Sequence, residues 1–351
     1  MGNGNGNELP QALLDDVMAL DEGGKRALAQ ALKEMIATEL MIARGGAAPT
    51  MCPHCGGEHI VKKGKDREGG QRCLCIQCGR TFGASTMSII GQSKLSAAQW
   101  MAYAEHMAEG RTLRELTIAA VVCLKTSWFM RMRTLGAMGR HLDEFRSGPG
   151  VSVEVDGTML HESFKGNNVG HSPFELPRRP HKSGKSLHVR GVSGQQVCVL
   201  CAANDRGDVY ASILGRAHGN ARLIGAKLEG LIDPGTHVAT DALAQYDGVM
   251  EELGCAHEVR PSGHVRGKSS LGIVNAVHAR LKAFLRGFKG VATRRLQRYL
   301  DWYCWTEQFR GGLADRGDLV AREATTGTYE ATVREIFRED RFDMGYWVSA
   351  V

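Results

Sequence analysis

The sequence predicts a multi-domain α+β protein: N-terminal helices, a small cysteine-bearing module, a helical pair, and then a mixed α/β domain. Three observations carry that prediction. Five of the ten cysteines fall between positions 52 and 78. Residues 87–148 show helical periodicity broken by compact turns. From residue 150 onward, short apolar runs alternate with amphipathic stretches, the pattern of strands packed under helices. At 351 residues the chain is long enough for two or more domains.

The first segment, 1–48, reads as helical. Leu13, Leu14, Val17, Leu28, Leu32, Met35 and Ile36 form an apolar stripe that suits packing or self-association. In the next segment, 49–86, Cys52 and Cys55 form one CxxC and Cys75 and Cys78 another, with 19 residues between the pairs. That is zinc-ribbon spacing. Each CxxC turn aims two thiolates at one point, and two turns complete a tetrahedron of sulfur around Zn2+. A module this small has little core, so the metal supplies most of its folding energy. Cys73 is expected to be a free thiol, because using it in place of Cys75 would break the CxxC spacing. His54 and His59 are expected at the surface. The cysteines alone fit a purely structural zinc site equally well. Lys62, Lys63, Lys65, Arg67 and Arg72 crowd the hairpin between the pairs and tip the reading toward DNA contact.

Residues 87–148 read as a helical DNA-binding region. LSAAQWMAYAEHMAEG is periodic and stops at Gly110. A helix over 112–119, a turn over 120–124 and a helix over 126–135 then resemble a helix-turn-helix. That geometry would turn Lys125, Ser127, Arg131 and Arg133 toward a groove or phosphates, with Trp128, Phe129 and Met132 in the core. A plain helical hairpin is the competing reading. RSGPG (146–150) is a linker.

Residues 149–310 read as three strands, a helix, two strands and a helix. The strands are VSVEV, QQVCVLCAAN, DVYASILG, THVATD and AHEVRP. This order describes a mixed sheet with helices on its faces, as in the ribonuclease-H-like fold, where carboxylates from the first and fourth strands meet a residue on a later helix. Asp156 and Asp241 each end an apolar run. Glu154 shares a face with Asp156 because side chains alternate along a strand, so it is a lesser candidate ligand. On the helix at 271–288, Asn275, His278, Lys282, Arg286 and Lys289 form a polar stripe opposite an apolar one. Asn275 and Lys282 are seven residues apart, so they lie on nearly one azimuth, roughly 10 Å apart along the axis. Oxygen ligands drawn from distant parts of the chain are what a divalent-metal phosphoryl-transfer site needs. An isolated Asp is more commonly a solvated turn residue, and an amphipathic helix is more commonly a surface helix; only the combination favours the site. Cys198 and Cys201 also read CxxC, but a strand puts them on opposite faces, so buried thiols are expected. Tyr246 is expected to pack in the core rather than act as a nucleophile, as are Trp302, Tyr303 and Trp305.

Taken together, CPHC, RCLCIQCGRTF, VEVDGTML, the KGNN and RRPHKSGK insertion, VATDALAQYDG and VNAVHARLKAFLRGFKGVATRRLQRYLDWYCW resemble bacterial insertion-sequence transposases with an N-terminal zinc ribbon and a DDE or DDNK catalytic domain of the ISXO type. The resemblance covers about residues 50–310. It implies a DNA transposase that binds terminal inverted repeats and performs two-metal strand cleavage and strand transfer. The family's functional positions fall on Asp156, Asp241, Asn275 and Lys282, the first three as ligands of Mg2+ or Mn2+. Most DDE enzymes carry Glu where this chain has Asn275, and an amide oxygen brings no charge; Glu154 or DNA phosphates would have to compensate. The implied partners are double-stranded DNA, at the element's ends and at the target, and a second copy of the chain or more. The alternative is a zinc-ribbon and helix-turn-helix DNA-binding regulator with an inactive nuclease-like domain.

Charge fits that reading. The net charge is +6, with net −3 over residues 1–50, +6 over 51–150, +6 over 151–310 and −3 over 311–351. A positive middle suits a polyanionic partner, though a solubilising surface would look the same. The basic loop 178–190, with Arg178, Arg179, Lys182 and Lys185, and then Arg286, Lys289, Arg294, Arg295 and Arg298, extend the expected DNA surface. Residues 311–351 read as an acidic tail without a motif. No apolar run is long enough to span a bilayer, and the start MGNGNGNELPQ has no signal core, so a cytoplasmic bacterial protein is expected.

Overall fold

The structure is a computed structural model that describes residues 11–21, 23–25, 27–28, 31–32, 50–65, 70–83, 86, 89–90, 93–140, 142–166, 196–216, 219–260, 271–310, 317, 319–321, 323 and 336. Helix α1 (Gln11–Ala19) comes first. Leu13 and Leu32 of the expected apolar stripe are exposed. Strands β1 (Ile60–Lys65), β2 (Gln71–Cys75) and β3 (Thr81–Phe82) then form an antiparallel sheet in that order. Its small core holds Cys52, Cys73, Cys75 and Phe82. Cys73 is buried there and stands outside the group of four cysteines whose sulfurs converge. His59 is exposed, but His54 is half-buried, its ring meeting Phe82 edge-on. Gly56 and Gly79 follow the two CxxC turns at φ 72° and 69°, where any side chain would be strained.

Helices α2 (Ala97–Ala108) and α3 (Leu113–Ala119) both open on capping boxes. Ser96 and Gln99 exchange side-chain and backbone hydrogen bonds in the first, and Thr112 and Glu115 do so in the second. Helix α4 (Leu124–Arg140) is longer than the expected 126–135. This extension overturns two expected DNA contacts. Arg131 and Arg133 are each 1% exposed, because the long helix runs through the core rather than along the surface. The Arg131 Nη2 donates to the Arg111 carbonyl, and the Arg133 Nη1 donates to the Ile89 carbonyl at 2.5 Å. Ser127 is buried as well, whereas Lys125 at the start of α4 is exposed. Met132 is buried, and Trp128 and Phe129 pack at the margin of that core.

The α/β domain holds β4 (Ser152–His161), β5 (Gln196–Asn204), β6 (Val209–Arg216), α5 (Ala221–Leu228), β7 (His237–Thr240), α6 (Gln245–Glu252), β8 (Ala256–Val259), α7 (Gly272–Gly287) and α8 (Leu296–Gln308). The sheet order is β6-β5-β4-β7-β8. The first three strands are antiparallel, and β7 and β8 run parallel to β4. This is the mixed sheet with helices on its faces that the sequence predicts. Alternation along β5 divides its side chains between two layers. Cys198, Leu200 and Ala202 join the core under α5 and α6. Val197, Val199, Cys201 and Ala203 join the core under α7 and α8. Trp302 and Trp305 of α8 enter the same core as α2, α3 and α4, so the helical region and the α/β domain share one packed interface. Tyr246, Trp302, Tyr303 and Trp305 are all buried, as expected. Residues expected in a trailing tail also contribute: Val320, Ala321 and Ile336 are buried in that shared core. Among the described residues no helix is long and apolar enough to cross a membrane.

Candidate metal-dependent active site

Backbone register brings the two aspartates together. β4 and β7 are parallel neighbours, paired from Ser152↔His237 to Val155↔Thr240. One step further along that register sets Asp156 beside Asp241, on strands ~4.8 Å apart. On its other side, Asp156 pairs directly with Cys201 of β5. Asp156 does not end its strand as the sequence suggested; β4 continues to His161. It is β7 that ends, so Asp241 opens the loop. The Asp156 Oδ1 accepts from the Gly157 N–H at 2.7 Å, and the Asp241 Oδ1 accepts from the Leu243 N–H at 3.2 Å. Burial first, and the Asp241 charge second, push the Asp156 carboxyl up to about 6, against the pull of Gly157 and Lys282. A carboxyl whose proton affinity is raised by burial and by a neighbouring carboxylate is a natural place for a divalent cation.

Helix α7 lies over this pair. Its Val274, Val277 and Leu281 are buried on the sheet, which leaves Asn275 and Lys282 exposed on the polar stripe. Glu154, the lesser candidate ligand, is already committed. It is 5% exposed and accepts from the backbone N–H groups of Ile273 at 2.7 Å and Val274 at 3.0 Å, while Arg260 pairs with it at 3.1 Å. Its carboxylate therefore caps α7 from the strand beneath it, a helix whose N-cap residue, Leu271, offers no side-chain cap. This corrects the idea that Glu154 could compensate for Asn275. His278 is the residue that sequence reasoning passed over, seeing only its place on the polar stripe. Its Nδ1 lies 3.9 Å from the Asp156 Oδ2, and its Nε2 is buried without a hydrogen-bond partner. Burial first, then Lys282, push His278 down to about 4, so the ring is neutral at pH 7 and the contact is not an ion pair.

Residues 149–308 match the family model of the ISXO2-like transposase domain. The match covers the α/β domain, from β4 to α8. A curated relative, an uncharacterized protein in the transposable element ISH50 of Halobacterium salinarum, is 24% identical over 256 residues, covering 71% of this chain and 82% of the relative. Among solved structures, the simian T-cell lymphotropic virus intasome in complex with PP2A regulatory subunit B56 gamma is similar at TM-score 0.28 and 11% identity over 58% of this chain, which spans 65% of that one. The mariner Mos1 paired-end complex with Mg is similar at TM-score 0.26 and 13% identity, over 66% of this chain and 80% of that one. Likenesses this loose carry no weight for the chemistry.

The other predicted positions fall into groups. Lys62, Lys63 and Lys65 are exposed along β1, and Arg286 and Lys289 are exposed at the end of α7. Arg178, Arg179, Lys182 and Lys185 lie outside the described residues. In the ribbon, Cys52, Cys55, Cys75 and Cys78 bring their sulfurs within 4.8 Å of one another. The Cys52–Cys78 and Cys55–Cys75 separations are both 3.6 Å. A tetrahedron with Zn–S bonds of ~2.3 Å has edges of ~3.8 Å, so the cage fits zinc. Burial raises the Cys52 thiol, but the His54 and Cys55 backbone N–H groups and its neighbouring thiols outweigh it and bring it down to about 7.

Proposed function

We propose that this chain is a metal-dependent DNA transposase that cleaves strands at the terminal inverted repeats of its element and joins them to target DNA. The observation that carries this reading is the β4–β7 register, which aligns Asp156 with Asp241 beneath the helix bearing Asn275 and Lys282. Asp156, Asp241 and the Asn275 amide oxygen would hold Mg2+ or Mn2+; hard oxygen donors suit both ions. A divalent ion there supplies Lewis-acid charge to the attacking and leaving oxygens of a phosphodiester. Lys282 lies on the same stripe as Asn275 and holds the phosphate or the displaced strand end. His278 is neutral and buries the inner side of Asp156, which limits water there. The zinc ribbon, the exposed β1 lysines and Lys125 bind the DNA duplex. Joining two ends calls for at least two copies of the chain.

The test is a nicking and strand-transfer assay on element-end DNA with Mg2+ or Mn2+. Wild type is expected to cut and join, and Asp156→Ala and Asp241→Ala each to lose about a thousandfold or more, by analogy with removal of other groups that stabilise charge in a transition state. A wild-type protein that binds ends and never nicks them would instead be a DNA-binding regulator. Activity that survives both substitutions would place the site elsewhere.

A further inference from the structure

A second cavity, of about 510 Å³, opens where α3 and α4 meet the turn after α7. That volume falls within the ~300–1,000 Å³ typical of sites for small organic ligands. Five cations line it: Arg114, Arg131, Lys165, Lys289 and Arg295. No Asp or Glu among the described residues lines it. Arg131 forms the floor. It is 1% exposed, its Nη2 donates to the Arg111 carbonyl, its Nε has no hydrogen-bond partner, and no carboxylate among the described residues pairs with it. Its guanidinium rests 5.3 Å from the Phe288 ring and 5.6 Å from the Trp302 ring. A charge this deep is costly unless something anionic meets it.

The rest of the wall suits a base. Trp128, Phe288 and Tyr299 line the same cavity, and the Arg295 guanidinium lies 4.6 Å from the Trp128 ring centroid. Basic groups interleaved with aromatic faces are the means by which proteins hold unpaired nucleotides. The loop is also held in an unusual form. Lys289 adopts φ 55°, and its carbonyl and that of Gly290 accept from the Lys165 Nζ at 3.1 and 3.0 Å. Burial first, and the Arg114 charge second, lower the proton affinity of Lys165.

We infer that this cavity receives an unpaired nucleotide of the DNA strand, its phosphate on Arg114, Lys165, Lys289 and Arg295, with Arg131 adding charge from beneath, and its base against the aromatic wall. The inference rests on the transposase reading and adds a nucleotide site outside the acidic pair. Two rulers place it. Lys289 is fourteen residues beyond Asn275, roughly 20 Å along the α7 direction at 1.5 Å per residue. Lys165 is nine residues beyond Asp156, of which the five to His161 span about 17 Å of strand. At ~3.4 Å per nucleotide that is about six nucleotides from the acidic pair.

The probes are a 20-base-pair duplex with a six-nucleotide oligothymidylate 3′ overhang and the same duplex with blunt ends, each bound to the full-length zinc-loaded protein. Wild type is expected to favour the overhang by roughly tenfold, the scale of one stacked base. Arg114→Gln and Lys165→Gln sit at the exposed rim, where folding is not at stake, and Trp128→Leu removes the aromatic face. Each is expected to abolish the preference while leaving most of the blunt-duplex affinity. A 2-aminopurine in the overhang should be quenched by wild type and not by Trp128→Leu. Equal binding of both probes, or equal losses on both in the variants, would overturn the nucleotide site and leave the DNA-binding reading intact. Failure to bind either probe would overturn the DNA-binding reading itself, and this site with it.

Discussion

Asp156 sits between the Asp241 carboxylate on one neighbouring strand and the Cys201 thiol on the other. Its carboxyl rises from an ordinary 3.8 to about 6, by burial and then by Asp241. The sign of the effect on stability follows. Below pH 3.8 folded and unfolded chains are both protonated there, and no penalty exists. Between 3.8 and about 6 the folded chain keeps a proton that the unfolded chain has released, so stability falls as pH rises. Above 6 the full penalty remains. Asp156→Asn removes it. Without added Mg2+ or Mn2+, urea denaturation should find the variant more stable than wild type above pH 6, by on the order of 2 kcal/mol, with the gain gone by pH 4. A second strained residue is far from the site. Val121, 81% exposed, turns between α3 and α4 at φ 52°. A β-branched side chain in the left-handed region is unfavourable, so Val121→Gly should stabilise by about 1 kcal/mol in the same measurement.

At the scale of elements, the site depends on how α7 is seated. Glu154 holds the first turn of α7 to β4, two residues from Asp156, and so fixes where Asn275, His278 and Lys282 stand. Glu154→Ala leaves two backbone N–H groups without their acceptor and leaves Arg260 with Glu258 alone. A loss of about 3 kcal/mol is expected, near the lower end for a broken buried pair because Arg260 is partly solvated. Hydrogen exchange at Ile273 and Val274 should speed up with it. Exchange unchanged at those two amides would show that α7 is seated by its apolar face alone. Much of this level was legible in the sequence. The period-2 runs marked β4 to β8, and the two-faced pattern at 271–288 marked α7. Two features were not. Helix α6 begins after Ala244, which offers no side-chain cap, so nothing local announces its start. Glu154 looked like a ligand because alternation gave its face, whereas its real partners lie more than a hundred residues away. Arg131 and Arg133 were misjudged for a related reason: charge suggests surface, but α4 carries them through the core, where carbonyl oxygens and aromatic rings receive them.

At the scale of the whole molecule, packing separates the ribbon from the rest. Its core of Cys52, Cys73, Cys75 and Phe82 is distinct from the larger cores of the helical region and the α/β domain. Zinc should therefore hold the ribbon alone. Cys75→Ser is expected to lose one zinc per chain by atomic emission, to unfold the ribbon, and to leave the main thermal transition where it was. A main transition that moved with the zinc would mean that the ribbon is built into the larger cores. By contrast, α2 to α4 share a core with α8 and with Val320, Ala321 and Ile336, so the helical region and the α/β domain should unfold together. The sequence read these as separate segments because helical periodicity shows that a face is buried without showing against what.

The central claim is that Asp156 and Asp241 share a divalent ion. Mn2+ titration followed by electron paramagnetic resonance, on zinc-loaded protein with duplex DNA present, tests it most directly. The account predicts bound Mn2+ in wild type, lost in both Asp156→Asn and Asp241→Asn while the ribbon keeps its zinc. Mn2+ bound equally well by wild type and both variants would contradict it.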